Sequence, residues 1–182
     1  MIFLIGRHGS GKSTIASSLV DEGYQHLSIG MLRRLAKSKV YPADVPAVII
    51  SALARTGSGP LPSRLVERII SFASGKSKIV IDGLPSSTDQ LKLLPANATV
   101  CYVWAGKLAR QWRLQDRAQT TVRQWTPGKV SVREENLASV VLEIRGGQRL
   151  IFVNNSKTGL VHAHAAAQRL LELDRSPKNL RA

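Results

Sequence analysis

Acidic residues are scarce in this 182-residue chain: 12 Asp plus Glu stand against 26 Lys plus Arg, for a net charge of +14. Such an imbalance implies anionic partners, with nucleotides and nucleic acid both possible. Cysteine is all but missing. Cys101 is the single example and has no partner within the chain; set in the apolar run Thr99 to Val103, it reads as a small core side chain. Long hydrophobic runs are missing too: nothing approaches the roughly 18 apolar residues of a membrane span, so no membrane partner is expected. A glycine-rich loop begins at residue 6, so no secretory leader is expected either, and the chain is expected to be cytoplasmic. What the chain does have is a 43 % hydrophobic content over a length suited to one substantial core and one domain.

Residues Gly6-Arg7-His8-Gly9-Ser10-Gly11-Lys12-Ser13 complete the pattern G-x-x-x-x-G-K-[ST]. Met1 to Ile5 before them reads as a buried strand, and Ile15 to Val20 after them as a helix, which is the context a phosphate-binding loop requires. In such a loop successive backbone N–H groups converge on a polyphosphate, and the positive end of the helix strengthens the field there. Gly6, Gly9, Ser10, Gly11, Lys12, Ser13 and Thr14 are therefore the expected nucleotide-binding residues. Lys12 is placed to reach the β- and γ-phosphates and the Ser13 hydroxyl to ligate Mg²⁺. Arg7 and His8 fill variable positions and read as solvated.

Further apolar runs at Ile79 to Asp82, Thr99 to Val103 and Leu150 to Val153, with a weaker one at Gln25 to Ser28, alternate with helical patterns. That alternation predicts an α/β fold with a five-stranded parallel sheet flanked by helices, its ligands at the carboxyl ends of the strands. Two segments interrupt it. About 31–77 reads as short helices broken at Tyr41-Pro42, at 56–60 and at Gly75; about 118–132 is polar and reads as a lid, or alternatively as a disordered connection. The core is then expected over 1–30, 78–117 and 133–174, with a frayed tail at 175–182. Cations concentrate at Lys107, Arg110, Arg113, Arg117, Arg123, Lys129 and Arg133. On a helix 110, 113 and 117 share one face; Arg110 by itself reads as solvated, and Trp112, on the other side, as core packing. Asp82 closes a buried strand, where it can hold Mg²⁺ or its waters, or cap a helix beginning near Ser86.

Over nearly its whole length the chain resembles the adenylate kinase and nucleoside monophosphate kinase family. Residues 6–14, GRHGSGKST, are similar to that family's phosphate loop, and 27–34, LSIGMLRR, to its acceptor signature, with Arg34 in the arginine position. Gly59-Pro60-Leu61-Pro62 resembles the turn inside the family's acceptor domain. Asp82-Gly83-Leu84-Pro85 with Gln90 is similar to D-G-[FY]-P-R-x(3)-Q, whose glutamine contacts the acceptor base. Arg113 and Arg117 fall on two arginines leading into the lid, and 153–157, VNNSK, on the loop under the donor adenine. The resemblance implies phosphoryl transfer from Mg-ATP to a nucleoside monophosphate by a monomer, with Lys12, Arg34 and Arg113 as catalytic cations, Arg117 on ATP, and Ser28, Gly30, Arg34, Gly83 and Gln90 on the acceptor. The lid's own arginines are not matched residue for residue, and Arg123 is read as the catalytic cation in their place, with Arg133 or Arg145 as alternatives. Ser13 and Asp82 are the implied metal anchors. Ser86 stands where the family has an arginine, Ile29 and Met31 depart from the acceptor signature, and Arg133-Glu134-Glu135 matches the lid's R-x-D-D only in charge. An altered acceptor, either another small molecule or a polynucleotide 5′-hydroxyl, or a nucleic-acid-associated ATPase, is the alternative. The short lid holds no cysteine cluster, so a structural zinc is not expected.

Overall fold

The computed structural model describes residues 1–57, 59–121, 132–144, 149–156 and 160–175. Five strands form one sheet: β1 (Ile2–Ile5), β2 (Gln25–Ser28), β3 (Ile79–Asp82), β4 (Thr99–Trp104) and β5 (Arg149–Asn154). Every pairing is parallel, as the alternation of apolar runs predicts, and the order is β2-β3-β1-β4-β5. β1 lies at the centre. All four of its residues are buried, which is why it reads as Ile-Phe-Leu-Ile with no polar alternation.

The two faces of β1 feed two cores. Ile2 and Leu4 join the core under α1 (Lys12–Asp21) and α9 (Leu160–Arg175), while Phe3 and Ile5 join the one shared with α2 (Ile29–Lys37), α3 (Ala47–Ala54), α4 (Ser63–Ser74) and α8 (Leu137–Ile144). Cys101 on β4 is buried in the first of these; burial pushes its thiol up to about 12, which keeps it a neutral core group. Helices α2 to α4 occupy the segment expected as an insertion, with breaks where Pro and Gly were read as interruptions. Arg33 clamps that segment. Its Nε donates to Thr56 Oγ1 at 3.1 Å and its Nη2 to the Gly59 carbonyl at 2.9 Å.

Four local expectations change. The helix expected near Ser86 is the short α5 (Thr88–Leu91), with Ser87 at its N-cap, so Asp82 is not its cap. α6 (Lys107–Thr120) extends through the first residues expected as lid, and Trp112 on it is 58 % exposed rather than packed in the core. Arg110 is half-buried, its Nε donating to the Ala105 carbonyl at 3.2 Å, rather than solvated. Between α6 and α7 (Val132–Glu135), residues 122–131 lie outside the described residues, Arg123 among them; so do Lys157 and 176–182 of the tail.

Register brings the site together. Leu4 pairs with Asp82 and Ser28 with Asp82, so the carboxyl ends of β1, β2 and β3 stand side by side. The chain leaves β1 directly into the glycine loop, at the point where the strand order turns from β3 to β4.

Candidate active site

The loop between β1 and α1 is shaped by three glycines with positive φ: Gly6, Gly9 and Gly11. Gly11 is the one that most constrains it. At φ 90° and ψ 18° it sits in the left-handed region and N-caps α1, and a Cβ there would collide with the Asn155 amide nitrogen. Lys12 folds back over the loop, its Nζ donating to the Gly6 carbonyl at 2.8 Å and the Arg7 carbonyl at 3.0 Å. Ser10 is wholly buried and its Oγ finds no hydrogen-bond partner among the described residues, while Thr14, one turn into α1, is exposed.

Across the mouth of the loop, the Ser13 hydroxyl donates to Asp82 Oδ2 at 2.8 Å. Asp82 is 7 % exposed at the end of β3, and among the described residues no three His, Cys, Asp or Glu side chains group as a metal cage. A hydroxyl and a carboxylate oxygen, both hard donors, held together beside an anion-binding turn fit Mg²⁺ supplied with a nucleotide, most of its other ligands being phosphate oxygens and water. A loop whose glycines leave no Cβ volume fits the polyphosphate itself. Gly83, next in the chain, has φ 98° and donates its N–H to the Leu4 carbonyl at 3.2 Å, tying the ends of β1 and β3.

Ser28 and Gly30 flank the turn from β2 into α2. The Ser28 side chain accepts the Met31 N–H as N-cap at 3.4 Å. Arg34 is exposed one turn on and folds toward Gly30, where a Cβ would lie 3.6 Å from Arg34 Nη1. Because Arg33 is held by Thr56 and Gly59, Arg34 is the guanidinium of the pair that faces outward.

The arginines of α6 divide differently from the sequence expectation. Arg113 turns onto the back of the glycine loop: its Nη1 donates to the Gly9 and Ser10 carbonyls at 3.2 and 3.4 Å and its Nη2 to the Asn155 carbonyl at 2.7 Å. Desolvation lowers its pKa from the ordinary arginine value, and it remains a cation. Arg117, half-buried, follows on the same helix face.

Gln90 is 1 % exposed and its amide faces inward. Oε1 accepts from Ser86 N at 2.7 Å and Ser86 Oγ at 3.1 Å, and Nε2 donates to the Leu61 carbonyl at 2.8 Å. In this arrangement Gln90 ties α5 to the turn before α4 instead of presenting its amide to a ligand. Three residues that the sequence reading placed only within motifs make contacts it did not foresee: Leu61 as that anchor, Asn155 behind the loop, and Glu134 of α7, whose Oε1 accepts from His8 N at 2.9 Å. The one signal for Glu134 was its place in an acidic pair after the polar segment.

No family model matches the sequence. The chain is 33 % identical over 100 residues to the UMP-CMP kinase of Xenopus laevis, covering 50 % of this chain and 51 % of that protein. It is 36 % identical over 95 residues to the adenylate kinase of Campylobacter curvus, covering 50 % and 49 %. The chain thus spans about half the length of the curated relatives it matches. Among solved structures, a gluconokinase from Sinorhizobium meliloti superposes with a TM-score of 0.56 at 16 % identity over 94 % of this chain and 93 % of that one. A shikimate kinase from Acinetobacter baumannii gives 0.54 at 17 % identity over 99 % and 94 %.

Proposed function

We propose that this nucleoside monophosphate kinase-like chain, with the fold of the small P-loop kinases, transfers the γ-phosphoryl group of Mg-ATP to a nucleoside monophosphate. The supporting observation is the Ser13–Asp82 pair at the mouth of the glycine loop, with Lys12 one residue before it. When bound, Mg-ATP supplies the phosphoryl group and a metal charge that offsets the negative oxygens. The chain's own part is alignment and charge: loop N–H groups hold the polyphosphate, and Lys12, released from the Gly6 and Arg7 carbonyls, neutralises its outer end. Arg34, with Ser28, Gly30 and Gly83 around the ends of β2 and β3, is assigned to the acceptor's phosphate. Arg117 and Arg123 are assigned to charge on the donor side, where exclusion of water strengthens every such contact.

A second reading keeps ATP as donor and takes an uncharged hydroxyl as acceptor. It is favoured by one observation: Ser86 stands where an arginine would clamp an acceptor phosphate, and both its N–H and its hydroxyl are held by Gln90. The polynucleotide 5′-hydroxyl belongs to this class and suits the net charge of +14. ADP release with Mg-ATP, measured against ribo- and deoxyribonucleoside monophosphates, small polyols and a 5′-hydroxyl oligonucleotide, separates the two. Turnover with one monophosphate, absent in Lys12→Ala, supports the first reading. Turnover with a hydroxyl acceptor instead supports the second, and no acceptor-stimulated release would remove both.

A further inference from the structure

We infer that Asn155 and Arg113 are positioning residues that set the anion-binding shape of the glycine loop from behind, through the loop's carbonyls. A trans peptide unit is planar, so a C=O and the N–H of the next residue point in opposite directions. Fixing one fixes the other. The Ser10 carbonyl receives two donors from the same side, Asn155 Nδ2 at 2.9 Å and Arg113 Nη1 at 3.4 Å, so the Gly11 N–H is turned to the opposite side. The Gly9 carbonyl is held by the same Arg113 nitrogen at 3.2 Å, and the Ser10 N–H closes the turn on the Arg7 carbonyl at 3.2 Å.

The brace is itself anchored. Asn155 N donates to the Trp104 carbonyl at 2.7 Å, which ties it to the end of β4, and its own carbonyl accepts from Arg113 Nη2 at 2.7 Å. Loop, α6 and the residue following β5 therefore form one closed ring of hydrogen bonds, which the Asn155 N–H ties to β4. Asn155 is 5 % exposed, and its amide fills the space a side chain at position 11 would need. Arg113 also adds a cation to the outer wall of the turn, raising the positive potential an arriving anion meets. For its ligand, though not for its geometry, this inference rests on the ATP-dependent reading.

The test uses Asn155→Asp, which replaces the donor facing Ser10 with an acceptor, and Arg113→Lys, which keeps the charge and loses the fork. Amide hydrogen exchange over residues 6–14 of the nucleotide-free protein is read beside calorimetric binding of inorganic pyrophosphate. Both variants are expected to speed exchange at Gly9 to Lys12 and to weaken pyrophosphate about tenfold or more, the loss expected for one or two charge-assisted or buried hydrogen bonds. Adenosine binding should be unchanged. Weaker pyrophosphate with unaltered exchange would show that Arg113 contacts the ligand directly, overturning the brace; so would wild-type values in both measurements. Should Asn155→Asp not fold, Arg113→Lys carries the same readouts. A wild-type protein that binds no pyrophosphate would remove the ATP reading, while the exchange contrast would still decide the brace.

Discussion

Two backbone carbonyls hold the Lys12 ammonium group, and neither can match a triphosphate for its charge. Removing that ammonium should leave the loop folded and the reaction without its cation: Lys12→Ala is expected to lower ADP release by at least about a thousandfold, with a melting temperature close to wild type, since charge stabilisation of this kind carries most of phosphoryl transfer. Gly11→Ala is the steric counterpart. Its left-handed φ and the Asn155 amide beside it leave no room for a methyl group, so weaker ATP binding together with lower stability is expected, read by calorimetry and thermal melting. At this scale the motif was readable because the residues that make it are adjacent in the chain. Arg113 was not: its charge suggested a ligand for phosphate, whereas backbone carbonyls on the loop capture it.

The elements depend on polar side chains that no periodicity announces. Gln90 links Ser86 after β3 with Leu61 before α4, a residue 29 positions before it in the chain, and all three are buried. Gln90→Leu would leave the Ser86 N–H and the Leu61 carbonyl buried without partners, and a loss of about 2–4 kcal/mol in urea unfolding is expected. An unchanged midpoint would show that water reaches those groups. His26 on β2 is a second case. Burial lowers its pKa below the ordinary 6.5, against an opposing pull from Asp82, so the unfolded chain holds the proton more tightly than the folded one. Its contribution is therefore present above about pH 6.5 and lost as pH falls through the folded value. In thermal melts between about pH 7 and pH 5, His26→Gln should show a shallower decline than wild type. Helical spacing located 110, 113 and 117 on one face of α6, but spacing does not say which face another element covers; hence Trp112 is exposed where core packing was expected.

For the whole molecule the dominant quantity is charge. With +14 on 182 residues, and with ion pairs such as Lys92–Asp89 and Arg169–Glu172 lying exposed at the surface, self-repulsion opposes compactness. Salt should relieve it: the melting temperature of the ligand-free protein is expected to rise between roughly 0.01 and 0.3 M NaCl as the Debye length shrinks from about 30 Å to under 8 Å. A flat or falling response would mean that the cations are already neutralised by neighbours. The sheet was legible at this scale. Four apolar runs and the weaker segment Gln25–Ser28 became five parallel strands; a strand buried on both faces, as β1 is, must be apolar throughout, and that signal is local.

From the sequence alone came the phosphate loop, the strands and the grouping of Lys12, Ser13 and Asp82, since each follows from residues adjacent in the chain or from its place at a strand end. The tertiary structure decided the strand order, the inward turn of Gln90, the capture of Arg113 and the arrival of Asn155 and Glu134 at the loop. The physical reason is the same in each case. A polar side chain takes whichever partner the fold brings within 3 Å or so, and partners 29 to 145 residues away leave no trace in local spacing.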